Sequence, residues 1–383
     1  MPPRKPPVRC RVCKAPLSNE PLLQYRDMPC AAQSFPSAEE LDKDKGAKLT
    51  VCQCSSCGLV QIPGLPVPYF REVIRATAFS PEMRTFRQAQ FSEWVEGYQL
   101  AGKRVLEVGC GRGEYLTLLQ ELPLQVHGIE YSANAIAACR AAGLPTSRAF
   151  IARSGQVLKA GSFDAFLTLN FMEHWPDPVA SLRGIGDNLV DSAIGLVEVP
   201  NFDMILKQGL YSEFISDHLS YFTRETLIYT LQSAGFEVLT CASIWHDYIL
   251  SAVVKKRAPV DMTLLASRRQ TVATALHRFI DQFPDSGVAI WGAGHQALAT
   301  IALAEIGHKI KYVVDSAPFK QGRYTPATHL PVVPPTTLET NPVSAVVIMA
   351  AAYSDEVYGI IRAKHGPELK VAILRDFGLE ICA

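Results

Sequence analysis

Val105-Leu-Glu-Val-Gly-Cys-Gly-Arg-Gly113 joins a short apolar run to glycines at 109, 111 and 113. An apolar run that stops at glycine reads as a buried strand entering a tight turn. Glycine supplies positive φ there and lets another molecule approach the backbone closely. The segment from Tyr115 to Glu121 reads as the helix that follows. Free N–H groups at its start favour an anionic group. Glu130 stands about twenty residues beyond the first glycine, after the apolar run Val126–Ile129. A carboxylate at that place can hold two ribose hydroxyls.

Outward from this turn, strand-like and helix-like segments alternate. Glu82–Leu100 and Asn134–Ala142 read as helices, Asp164–Leu169 and Ile194–Val199 as strands. Helix Arg224–Ala234 and strands Phe236–Thr240 and Tyr248–Val254 close the series. Such alternation implies an α/β fold, a parallel sheet covered on both faces. Pro200–Phe222 is a long mixed connection, a class that often carries function. After a helical connector, Val260–Phe283, the pattern restarts at Val288-Ala-Ile-Trp-Gly-Ala-Gly294, with strands expected at Tyr312–Asp315 and Ala345–Met349. This second turn, with Asp315 about twenty residues on, has a dinucleotide-binding form. Taken alone this form suggests NAD, but no redox motif accompanies it.

The 383 residues are 48% hydrophobic and 19% charged, enough apolar material for large cores and too little charge for a disordered chain. Lys+Arg and Asp+Glu balance at 37 each, which argues against nucleic acid as the main partner. No stretch approaches the roughly 18 apolar residues of a membrane span. The start, MPPRKPPVRC, has no hydrophobic leader. The expectation is a cytoplasmic protein without a membrane partner.

Cys10-Arg-Val-Cys13 and Cys54-Ser-Ser-Cys57 are two CxxC pairs. In a chain without a secretion signal they read first as one metal site. Four thiolates from Cys10, Cys13, Cys54 and Cys57 complete a tetrahedral shell with no open position, so the expected zinc is structural. Cys52 offers an alternative donor. The run PGLPVP, Pro63 to Pro68, closes this module. Three modules are expected: 1–68 for the metal, 69–258 for the first α/β unit, and 259–383 for the second.

A glycine turn alone suits nicotinamide cofactors and S-adenosylmethionine (SAM) alike. The fuller pattern LEVGCGRG…GIEYS resembles the first motif and second-strand acid of class I SAM-dependent methyltransferases. By that resemblance Glu107, Gly109, Gly111 and Gly113 surround the amino-acid part of SAM, and Glu130 takes the ribose. Leu169-Asn-Phe-Met-Glu-His-Trp-Pro-Asp-Pro178 resembles the family's strand-four motif beside the reacting methyl, which places Asn170 with the cofactor.

The module order, with CRVC, CSSCGLVQ, Asp217-His-Leu-Ser-Tyr-Phe222 and Lys320-Gln-Gly-Arg-Tyr-Thr-Pro326, resembles the bacterial deoxysugar C-methyltransferases over almost the whole chain. The resemblance implies SAM-dependent transfer to a nucleotide-linked 4-keto sugar, at C3, through an enolate. A base must then take the C3 proton, and donors must face the enolate oxygen. The family's Tyr-x-Glu-His run matches Ile215-Ser-Asp-His218 here. His218 is the implied base and Asp217 replaces the glutamate. Ile215 stands where a tyrosine would, leaving Tyr211 or Tyr221 as other sources of a phenol. His174 matches the position that polarises the keto oxygen. Trp245-His-Asp-Tyr248 replaces the usual His-Gly-Gly, so Asp247 and Tyr248 are expected to fill substrate space. The resemblance also implies a substrate-binding or scaffold role for the second unit, in place of NAD binding, with Lys320, Arg323 and Tyr324 as candidates for a diphosphate or base. The departures leave open an O- or N-methyltransferase of a sugar or other small metabolite. A non-catalytic SAM- or nucleotide-binding regulator is also open. The oligomeric state is not specified by any of these features.

Overall fold

In the computed structural model the described residues are 8–18, 20–33, 35–73 and 80–382. Residues 1–7, on which the expectation about a leader falls, lie outside them. The chain divides into two units, Met1–Pro259 and Val260–Ala383.

The first unit opens with an antiparallel sheet of β1 (Leu23–Met28), β2 (Ala47–Gln53) and β3 (Val60–Gln61). α1 (Pro81–Gly97) follows; the Ser80 side chain accepts the Met83 N–H and Pro81 occupies the first turn, both favourable at a helix start. A seven-stranded sheet comes next. Its strands are β4 (Arg104–Val108), β5 (Gln125–Glu130), β6 (Thr146–Arg148), β7 (Phe163–Leu169) and β8 (Leu189–Pro200). Between them run α2 (Glu114–Gln120), α3 (Ala133–Ala141) and α4 (Pro178–Gly186). The long connection after β8 holds α5 (Phe202–Gln208) and β9 (Ser220–Tyr221). Then come α6 (Arg224–Ser233), β10 (Phe236–Ile244) and β11 (Ile249–Lys256).

The strand order is β10-β11-β8-β7-β4-β5-β6. β4 to β8 pair in parallel, but β11 runs antiparallel to both β8 and β10. The parallel sheet expected from the alternation of segments is present over β4 to β8, with β11 reversed at its side. β10 and β11 are joined by a short hairpin, which can only connect antiparallel strands. This is the class I SAM-methyltransferase sheet. Alternate residues serve the two faces: Val105, Ala165 and Leu167 pack with α1 and α2, whereas Leu106, Val108 and Phe166 pack with α4 and α6.

β9 does not join that sheet. It pairs with β3, Val60 opposite Tyr221 and Gln61 opposite Ser220, as the fourth strand of the N-terminal sheet. Cys10, Cys54 and Leu59 share one buried cluster with Phe171, Trp175 and Leu227. The cysteine module and the α/β layer thus have a common core.

A buried ion pair fixes α1 to the sheet. Arg87 and Glu198 meet at 2.6 Å with both side chains fully buried, and Ser251 of β11 donates to Glu198 Oε1 at 3.1 Å.

The second unit has α7 (Thr263–Ile280), β12 (Val288–Trp291), α8 (His295–Leu303), β13 (Ile310–Val314), β14 (Val332–Val333) and α9 (Thr337–Thr340). It ends with β15 (Ala345–Ile348), α10 (Ser354–His365), β16 (Lys370–Arg375) and β17 (Gly378–Cys382). The order β14-β13-β12-β15-β16-β17 is parallel apart from β17, which forms a hairpin with β16. α7 and α8 cover one face, and α9 and α10 the other. It is a second Rossmann-like layer. Among the described residues no helix is long and apolar enough to cross a membrane.

Candidate active site

Strand ends of the first unit surround a cleft of about 270 Å³, lined by Gly109, Gly111, Asn170, Glu173, His174 and His218 among others. The glycine turn forms its floor. Gly109 has φ +76, and a Cβ there would stand 2.5 Å from the Phe171 ring. Gly113 has φ +90, and its Cβ would stand 2.2 Å from Leu144 Cδ1. Only glycine fits at either place. Glu130 Oε2 accepts the Gly111 N–H at 3.1 Å, and Oε1 accepts those of Tyr131 and Ser132. Glu107 is buried within β4.

Asn170, just past β7, has φ +49 and a buried Oδ1 with no hydrogen-bond partner among the described residues. A buried acceptor without a donor is costly unless a ligand supplies one. Beside the turn, a smaller pocket is lined by Glu130, Tyr131, Phe150, Phe171 and Arg71. The Arg71 guanidinium lies 5.0, 5.3 and 5.5 Å from the ring centres of Phe70, Tyr131 and Phe150. A cleft with an aromatic wall, a ribose-height carboxylate and an orphan acceptor fits an adenosine carrying an amino acid.

The structure brings His174 and His218 together, ring centres 4.8 Å apart and edge to face. His174 is buried, and its Nδ1 donates to the main-chain oxygen of Asp217 at 2.8 Å. A carbonyl only accepts, so the proton sits on Nδ1 and Nε2 keeps a lone pair. Burial lowers the His174 pKa to about 4. Burial, then the proximity of His174, lowers that of His218 to about 3. Both are neutral imidazoles at pH 7. The Asp217 carboxylate faces elsewhere: Oδ1 accepts from the Ala32 N–H at 2.8 Å, and Oδ2 accepts from the Tyr69 hydroxyl at 2.8 Å.

Tyr69 is a phenol that sequence reasoning missed, because no motif surrounds it. Of the two phenols expected, Tyr211 is exposed, and Tyr221 accepts the Ile215 N–H at 3.0 Å and thereby pins the loop. Tyr248 lines the cleft and donates to Glu213, whereas Asp247 is exposed and outside the lining. Of the two residues expected to fill substrate space, Tyr248 alone lines the cleft.

Glu173 was also passed over. It is buried and belongs to the cleft wall; its Oε1 lies 3.8 Å from His174 Nε2. Its signal was its place beside His174 in an apolar run.

The four cysteines of the two CxxC pairs converge. Cys10 and Cys57 sulfurs lie 3.6 Å apart, Cys13 and Cys54 sulfurs 3.4 Å, and all four within 4.8 Å of one another. Sulfurs bound tetrahedrally at about 2.3 Å from zinc are about 3.8 Å apart, so the cluster suits such an ion. Gln61 Nε2 donates to Cys10 Sγ at 3.3 Å. Cys52 lies in β2 outside the cluster.

The second unit repeats the first turn's bonding. Asp315 Oδ2 accepts the Ala293 N–H, as Glu130 does that of Gly111. Oδ1 accepts from Ala317 N–H, and Lys320 bonds Oδ2 at 2.9 Å. A cleft of about 400 Å³ beside it is lined by Phe319, Lys320, Arg323 and Tyr324.

The family model described as "Methyltransferase domain" matches residues 83–241. The chain is a SAM-dependent methyltransferase. Its second unit matches the model "C-methyltransferase C-terminal domain" over residues 262–367. Over 286 residues this methyltransferase is 24% identical to the C-methyltransferase NovU of Streptomyces niveus, covering 67% of this chain and 68% of NovU. It is 38% identical over 89 residues to a ubiquinone biosynthesis O-methyltransferase of Xanthomonas oryzae pv. oryzae, 22% of this chain and 37% of that protein. A solved SAM-dependent methyltransferase from Clostridium acetobutylicum is 11% identical, with TM-score 0.38, over 46% of this chain and 92% of its own.

Proposed function

We propose that this methyltransferase alkylates C3 of a nucleotide-activated 4-keto deoxysugar. The observation that carries this reading is the convergence of His218, His174 and Glu173 beside Gly109 and Asn170 in one cleft. The likeness to NovU and the C-methyltransferase model support carbon as the acceptor. SAM, when bound, supplies an electrophilic methyl group. Gly109, Gly111 and Gly113 would hold its amino-acid part with Asn170, and Glu130 its ribose. Glu107 supports the turn from β4.

His218 takes the C3 proton through its free ring nitrogen. The electron pair left on C3 spreads onto the C4 oxygen; His174, whose proton is held on Nδ1 by the Asp217 carbonyl, lines the cleft as an acceptor and does not donate to that oxygen. Asp217 acts as a positioning residue: its carbonyl sets the His174 tautomer, and its carboxylate anchors the loop to Tyr69 and Ala32. With so low a pKa, His218 is a weak base, so the reaction depends on stabilising the enolate. Cys10, Cys13, Cys54 and Cys57 hold a structural zinc.

The test is deuterium exchange at C3 of 4-keto nucleotide sugars, with S-adenosylhomocysteine bound. Exchange that disappears in His218→Ala supports the reading. No exchange with any keto sugar, alongside methylation of a hydroxyl or amine, rejects it in favour of O- or N-transfer.

A further inference from the structure

Glu173, His174 Nε2 and His218 are three electron-pair acceptors facing one another, their atoms within 4.8 Å. His174 Nε2 cannot donate, since its proton is held on Nδ1 by the Asp217 carbonyl. Glu173 Oε1 is 3.8 Å from that lone pair, and Oε2 is buried with no hydrogen-bond partner among the described residues. Among those residues, no lysine or arginine pairs with Glu173. A bare carboxylate so enclosed would face a lone pair with no compensating charge, which is strongly unfavourable. A proton on Oε2 removes that cost. It also creates a donor on a residue of the cleft wall.

We propose that Glu173 works as a neutral carboxylic acid whose Oε2–H donates a hydrogen bond to the oxyanion formed on the substrate. The inference rests on the carbon-transfer reading above. The C3 proton goes to His218 and the electron pair moves onto the carbonyl oxygen. Glu173 keeps its own proton, shared in the hydrogen bond, so no further reactant is needed. A carboxylic acid kept neutral by an apolar site is a strong donor for such an oxygen. The ionisable groups facing it are His174 from its own turn, His218 from the loop after α5, and Tyr248 from the β10–β11 hairpin. Burial raises the Glu173 pKa to about 8, in keeping with this role.

Two measurements test it. In the full chain with S-adenosylhomocysteine bound, the infrared difference between wild type and Glu173→Gln should contain a protonated-carboxyl stretch at about pH 6, lost as the group ionises near pH 8. An ionised carboxylate at about pH 6 overturns the proposal whatever the substrate. For C3 exchange, Glu173→Ala should lose about 100-fold, the usual cost of one oxyanion donor. Glu173→Gln, which keeps an N–H donor, should recover about tenfold of that loss. Retained S-adenosylhomocysteine binding in each variant reports its fold. Exchange that survives Glu173→Ala overturns the donor role alone, whereas no exchange in wild type overturns the carbon-transfer reading and the donor role with it. Stoichiometric Mn²⁺ binding by electron paramagnetic resonance, abolished by Glu173→Gln, would also overturn it, as the group would then be a cation ligand.

Discussion

The Asp217 main-chain oxygen accepts the Nδ1 proton of His174 at 2.8 Å, and this one bond sets which nitrogen faces the cleft. Both histidines there stay neutral far below pH 6.5, at about 4 for His174 and about 3 for His218. The acid limb of C3 exchange should therefore be absent between about pH 5 and 7, the window lying above both values. A limb with an apparent pKa near 6.5 would show that the working base is an ordinary exposed histidine.

Stability should respond to pH with two opposite signs. Glu173 rises from 4.5 to about 8 on folding, so the folded chain binds more protons in that window and stability falls as pH rises through it. His174 and His218 drop from 6.5, so the unfolded chain binds more protons below that pH and stability falls on acidification. Thermal melts of Glu173→Gln should gain on wild type progressively between pH 4.5 and about 8. A constant difference across that range would refute the assignment.

Arg87 and Glu198 form a fully buried pair. Removing one partner strands the other charge, so Arg87→Ala should cost about 3–5 kcal/mol in urea unfolding. Arg87→Ala combined with Glu198→Leu should recover part of that loss. An additive double variant would mean that the two side chains do not depend on each other.

Gly109→Ala places a Cβ 2.5 Å from the Phe171 ring at a backbone φ of +76. Calorimetry should show SAM binding weakened at least about tenfold, equivalent to about 1.4 kcal/mol. Unchanged affinity would place the cofactor away from this turn.

Cys54→Ser should lose zinc, measured by elemental analysis, together with most methyl transfer, while SAM binding persists. Gln61 links the two effects, since it donates to Cys10 Sγ and pairs in register with Ser220, two residues after His218. Full activity without the metal would break that link.

Much of this was legible along the chain. The glycine turn, Glu130 and the two CxxC pairs are local patterns whose spacing reflects local geometry, and alternation of segments announced both α/β layers. Glu173 and Tyr69 were not legible. A buried glutamate in an apolar run looks like any helix-turn residue until its partners are known, and Tyr69 meets Asp217 across 148 positions. The reversed direction of β11 follows from the short connection after Thr240, which is too short for the crossover that parallel neighbours need.

The pairing of Val60 with Tyr221 has a consequence for the order of folding. The parallel strands β4 to β8 and their helices close over short sequence distances, whereas β9 waits for a partner about 160 residues away. Contacts of such separation form late. Refolding should therefore pass through a chain that already takes up the cofactor but has not yet set His218. Competence to bind would precede competence to react.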